Sequence, residues 1–183
     1  AIAADPTEAH AHYLLGYAER ESERTAEAER CYRDALRLCP EEPVYLRALA
    51  ELLATEKRFP EALELARRAV GVAPERASNH VTLGFVASSS GDRALARSCY
   101  EEALRLDPND AVAWNNLGCV DLAQGRPMQA RERFREALRL NPEGQLAREN
   151  LKLVEAPARR AEIYREWAPF ERQAAVEICD HVL

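Results

Sequence analysis

The chain has 183 residues, 47% of them hydrophobic and 31% charged, with a formal net charge of −6 at pH 7. Enough apolar material is present for a folded core, which excludes a disordered chain, and the acidic balance argues against nucleic acid, whose phosphates call for surplus cationic surface. Only seven glycines, with Ala, Leu, Glu and Arg dominant, disfavour β-structure and predict an all-α protein.

The first six residues, "AIAADP", contain the pattern that organises the rest. Prolines recur at Pro6, Pro40, Pro74, Pro108 and Pro142, always 34 residues apart, and an Ala stands five residues before each. A fixed period of this length predicts a repeat array. Residues 1–8 then read as the end of a preceding repeat, so the sequence is expected to be a fragment of a longer protein. Full repeats follow at 9–42, 43–76, 77–110 and 111–144, each read as a pair of antiparallel helices. In the third, the first helix should run to about Ser89 and stop at Ser90-Gly91, where Gly tolerates the left-handed conformation. Asp92 should cap the second helix, whose apolar stripe is Leu95, Ala96, Cys99, Tyr100, Ala103 and Leu104, and Pro108 ends it. In the fourth repeat, Pro127 should sit in the first turn of the second helix, where its missing N–H costs little.

Residues 145–156 read as a capping helix, with Leu146, Leu151 and Val154 on one side and Arg148, Glu149 and Lys152 on the other. Residues 157–183 leave the period and are expected to form a non-repeat helical tail. Its apolar faces, Ile163, Tyr164 and Trp167, then Phe170, Ala174, Ile178 and Val182, are expected to fold back as further capping, to mediate dimerisation, or to lie in a groove as a self-ligand.

"WNNLG" at 114–118, followed by Ala130, Phe134, Ala137 and Pro142, is similar to the tetratricopeptide repeat family. "LG" at 15–16 with Ala28, Tyr32, Ala35 and Pro40, and "LG" at 83–84 with Ala96, Tyr100, Ala103 and Pro108, extend the likeness. The second repeat matches least, with Leu49-Ala50 for Leu-Gly and Ala66 for the aromatic. The resemblance implies a right-handed superhelical solenoid of helix pairs with a capping helix and helical tail. Gly16, Ala50, Gly84 and Gly118 should be small because two helices cross there, while Tyr32, Tyr100 and Phe134 should fill the space between repeats. Where the family has an aromatic on the first helix, this chain has Glu19, Leu53, Ala87 and Asp121. A carboxylate there is expected at the edge of the packing, solvated or paired with an Arg.

The residues offer little catalytic chemistry. There is no Gly-rich phosphate loop or HExxH, and His10 and His12 are two apart, so on a helix they diverge and make a poor metal pair. His80 holds the place of Trp114 and should pack. Catalytic residues, metals and cofactors are therefore all expected to be none. The five cysteines, Cys31, Cys39, Cys99, Cys119 and Cys179, include no CxxC pair and suit a cytoplasmic or other reducing compartment. No apolar run approaches the ~20 residues of a membrane span. A strong excess of Arg over Lys fits a bacterial coding sequence.

Function must then reside on a surface. The resemblance implies a concave groove, lined by first helices, that receives a peptide or helix of a partner protein. Matching places puts His10, Tyr13, Leu14, Tyr17 and Arg20 in it, then Arg47 and Glu51, then Val81, Thr82 and Phe85, and last Asn115, Asn116 and Cys119. Aromatics would anchor, Arg20 and Arg47 would meet carboxylates, and Asn115 and Asn116 would meet peptide backbone. The multi-cation clamp for a terminal carboxylate and the long Asn ladder of some relatives are both incomplete here. A protein-binding scaffold is the leading expectation; the alternative is the substrate-recognition arm of a larger enzyme.

Overall fold

The computed structural model describes residues 6–156. Nine α-helices and no strands occur among the described residues. They are α1 (Pro6–Glu21), α2 (Thr25–Leu38), α3 (Pro43–Thr55), α4 (Phe59–Val72), α5 (Ala77–Ser89), α6 (Arg93–Leu106), α7 (Ala111–Ala123), α8 (Pro127–Leu140) and α9 (Gln145–Glu155). The predicted starts and stops largely hold. Asp92 Oδ1 accepts a hydrogen bond from the Leu95 N–H at 3.0 Å, Asp110 caps α7 through the Ala113 N–H at 2.9 Å, and Pro127 opens α8. The tail residues 157–183, with the stripes read there, lie outside the described residues.

The turn joining the helices of each pair needs one left-handed residue. Gly91 (φ 89) and Gly125 (φ 72) supply it without a Cβ penalty, whereas Glu23 (φ 59) and Lys57 (φ 60) supply it against one. These four positions are again 34 apart.

Two compact units are distinguished, Ala1–Val86 and Ala87–Leu183. In the first, α1 pairs with α2, α3 pairs with α4, and α2 packs on α3. Ala9, Ala35 and Tyr45 form one buried cluster, flanked by Tyr13, Leu36, Leu38, Cys39 and Val44. Buried Asn79 ties α5 to the end of α4, donating to the carbonyls of Ala69 and Ala73 at 2.8 Å each. In the second, α6 packs on α7, α7 pairs with α8, and α9 covers α8. Leu122, Ala130, Phe134 and Val154 make its buried cluster.

The glycines explain the closeness of the pairs. A Cβ added at Gly16 would stand 2.7 Å from the Tyr32 ring, and one at Gly118 would stand 2.5 Å from Phe134 Cε1. The aromatic ring of the second helix thus fills the notch in the first helix of its own pair, rather than only the space between repeats. Phe134 does both, since it also reaches Val154 of α9.

Three further details differ from the expectations. Pro6 is the first residue of α1, so α1 starts three residues before the repeat register; at the first position of a helix proline gives up no hydrogen bond. The buried stripe of α9 is Ala147, Asn150 and Val154, with Leu146 and Leu151 half-buried beside it. Asp121 lies deep instead of at an edge: its side chain is 2% exposed.

Candidate functional site

Places that recur every 34 residues on the first helices share a face, and in the first unit the contacts connect them. His10 stacks on Tyr13 with centroids 5.7 Å apart, and Tyr13 lies 5.3 Å from the Tyr45 ring and 6.0 Å from that of Tyr32. Burial pushes the Tyr32 phenol up to about 12 and raises that of Tyr45, so both rings stay neutral. Leu14 and Tyr17 project from α1 at 53% and 46% exposure. The Arg20 guanidinium lies 5.0 Å from the Tyr17 ring centre and is shared between Glu21 at 3.5 Å and Glu51 at 3.8 Å. Thr82 of α5 donates its hydroxyl to Glu51 Oε1 at 2.7 Å. Side chains of α1, α3 and α5 thereby meet in one run: Tyr17, Arg20, Glu51, Thr82. Arg47, Val81 and Phe85 are half-buried, and His10 is exposed.

The second unit uses the matching first-helix places differently. Asn150 of α9 donates to Asn115 Oδ1 at 3.0 Å and approaches Cys119 Sγ at 3.5 Å, while Asn115 donates to Asn116 Oδ1 at 3.3 Å. All three asparagines are buried, so these amides are largely occupied with one another. Sequence reasoning misses Asn150 although the period points to it, because it lies 34 residues after Asn116.

Other polar places on the first helices have structural jobs. His80 shares a 2.7 Å hydrogen bond with the Pro74 carbonyl, Trp114 Nε1 donates to the Pro108 carbonyl at 2.9 Å, and Arg148 donates to that of Pro142 at 2.6 Å. The same place in three successive repeats therefore fastens the preceding loop. Asp121 is held by Arg97 of α6, by Arg126 at 3.2 Å and by Arg133 at 3.7 Å; Arg133 also stacks 5.1 Å from the Trp114 centroid. Its counterpart Glu19 pairs with Arg24. Cys31 and Cys99 are buried and Cys39 and Cys119 are half-buried. Burial raises the Cys31 thiol above its ordinary value, which keeps it protonated. Among the described residues no group of three or more His, Cys, Asp or Glu is placed to hold a metal. No described helix is long and apolar enough to cross a membrane.

Helix pairs of fixed length, closed by a glycine–aromatic notch and exposing a first-helix face, define a helical repeat protein of the tetratricopeptide type. Family models described as "Tetratricopeptide repeat" match residues 1–43, 13–79 and 75–143, and the chain belongs to that family. It is 31% identical over 126 residues to the human "Protein O-mannosyl-transferase TMTC3", covering 61% of this chain and 14% of that protein. It is 33% identical over 87 residues to the "Hsp70-Hsp90 organizing protein" of Triticum aestivum, covering 48% and 15%. The chain thus spans less than a sixth of the length of either. Among solved structures, TTC0263, a tetratricopeptide repeat protein of Thermus thermophilus, superposes with a TM-score of 0.76 at 20% identity, over 95% of this chain and 96% of that one. The first repeat domain of Spaghetti (RPAP3), bound to the HSP90 peptide SRMEEVD, superposes with a TM-score of 0.63 at 23% identity, over 68% and 99%.

Proposed function

We propose that this chain is a protein-interaction scaffold whose first-helix face binds a peptide or helix of a partner protein. The observation that carries the reading is the face shared by α1, α3 and α5. Exposed Leu14 and Tyr17 stand there beside a polar run of Arg20, Glu51 and Thr82, a mixture of apolar anchor and oriented polar groups. Likeness to an Hsp70-Hsp90 organizing protein and to a repeat domain with a bound peptide supports the same class of role. The test is a double substitution, Tyr17→Ala with Phe85→Ala. The helical circular-dichroism signal should be kept and partner capture lost; undiminished capture would remove this face from consideration.

A second reading is favoured by the human relative, a protein O-mannosyl-transferase by name. In it, the repeats are the substrate-recognition arm of an enzyme whose catalytic domain adjoins them in the parent polypeptide. A transferase domain in that polypeptide, with turnover of protein substrates lost on the Tyr17/Phe85 double substitution, would favour it over a non-catalytic scaffold. Cys31 and Cys39, both free thiols, suit a reducing compartment in either case.

A further inference from the structure

Resting on the groove reading, we propose that the α1–α3–α5 face selects its partner by one internal acidic side chain, received by Arg47. Tyr13, Arg47 and Val81 hold the same place in three successive repeats, so Arg47 is the cation in a row whose other members are an aromatic and an aliphatic. Along its own helix the neighbouring places on this face, Val44 and Ala48, are uncharged. The next, Glu51, is already engaged, with Thr82 on Oε1 and Arg20 near Oε2. Among the described residues Arg47 makes no ion pair within 4 Å, and its Nε is shut off from solvent without a hydrogen-bond acceptor.

A guanidinium cannot shed its proton to escape this position. With uncharged Val44 and Ala48 beside it on α3 and its Nε out of reach of water, this half-buried cation is less screened than a surface arginine. The arrangement is costly in the free protein and becomes favourable when a carboxylate is delivered to it, ideally across both terminal nitrogens. The same logic sets the rest of the ligand. A single cation does not make a clamp for a chain terminus, so the acid is a side-chain Asp or Glu inside the segment. Tyr13 and Val81 on either side of Arg47 call for apolar residues within about three positions of that acid, some ~10 Å of extended chain.

The experiment is selection of random twelve-residue peptides without free C-termini on the folded chain. Titration of the best of them, synthesised with an amidated end, follows. The selected sequences should contain an Asp or Glu flanked by apolar residues. Changing that acid to its amide should weaken binding at least tenfold. Arg47→Gln should weaken binding of the acidic peptide by a similar factor, with little added loss when both changes are combined. Arg47→Lys should recover part of the affinity, and Arg47→Glu should move the selection toward Lys and Arg. Peptides that require Tyr17 and Phe85 but ignore both Arg47 and the acid overturn this proposal and leave the groove reading standing. Failure to select any peptide, or binding that survives Tyr17→Ala with Phe85→Ala, overturns both.

Discussion

Glu19 and Asp121 stand at the same place in the first and fourth repeats, yet the protein treats them differently. Glu19 keeps some contact with water and meets Arg24, whose own side chain is 56% exposed. Asp121 is sealed, with arginines from α6, from the turn before α8, and from α8 itself around it. The pairing five residues onward, Glu19 with Arg24 and Asp121 with Arg126, is common to both. What differs is the surrounding helix surface: Cys31 occupies in α2 the place that Arg133 occupies in α8. A carboxylate can replace an aromatic inside a helix pair only where neighbouring helices bring cations to it. Otherwise it must stay within reach of water.

The greatest loss of stability should come from breaking this contrast on its buried side. Asp121→Ala leaves three guanidinium groups facing one another around a buried hole and should cost about 3 kcal/mol, the lower end for a broken buried pair because the arginines keep some access to water. Glu19→Ala should leave the unfolding midpoint within the scatter of the measurement. Thermal or urea unfolding of the two variants side by side checks this; equal losses would mean that burial is not what separates the two sites.

Next come the notches. Gly118→Ala places a methyl 2.5 Å from Phe134, and Gly16→Ala places one 2.7 Å from Tyr32. Overpacking of this kind costs about 1–3 kcal/mol, partly offset by roughly 1 kcal/mol of better helix propensity. Both variants should be net destabilised, Gly118→Ala the more. Gly71 in α4 has nothing within 4 Å of the position a Cβ would take. Gly71→Ala should therefore raise stability by about 0.5–1 kcal/mol. Chemical denaturation of the three alanine variants tests the order, and a stabilised Gly118→Ala would show that the ring can move aside.

A pH dependence of the first unit should be weaker still. Glu29 and Glu61 are bridged by Arg33 and Arg58 into a closed ring, with N–O separations of 2.6–2.8 Å. At Glu29 burial pushes the carboxyl up, but hydrogen bonds from Arg33 and Arg58 outweigh it and hold it below the ordinary 4.5. At Glu61 the hydrogen bond from Arg33 leads, and the net direction is also down. Because the folded-state values lie below the unfolded ones, the stabilisation is present above the ordinary carboxylate value and is lost as pH falls from there through the folded values. Unfolding midpoints followed from neutral pH down through the carboxylate range should show a loss that is smaller when Glu29 and Glu61 are both changed to Gln. High salt at neutral pH should remove part of the same contribution.

The first-helix places repeat the lesson of the two carboxylates. In the first unit, the aromatic and charged residues placed by register do meet, from Tyr17 through Arg20 and Glu51 to Thr82. In the second, Asn115 and Asn116 are buried and bonded within a cluster that includes Asn150. Register puts the right residues on the face but does not say which ones the protein already uses for itself.

What is local and periodic was legible in the order of residues alone. The 34-residue spacing, the turn at Gly91, the cap at Asp92 and the need for a small residue at Gly16 and Gly118 all follow from short-range sterics and hydrogen bonding. Folding in three dimensions was needed to settle how deep Asp121 lies, that Asn150 closes onto Asn115, and that Arg47 makes no ion pair among the described residues while Arg20 is shared. Each of these depends on which side chains of separate helices arrive within a few ångströms of one another. Over that distance a polar group passes from being satisfied to being stranded, and no period in the chain records which of the two it will be.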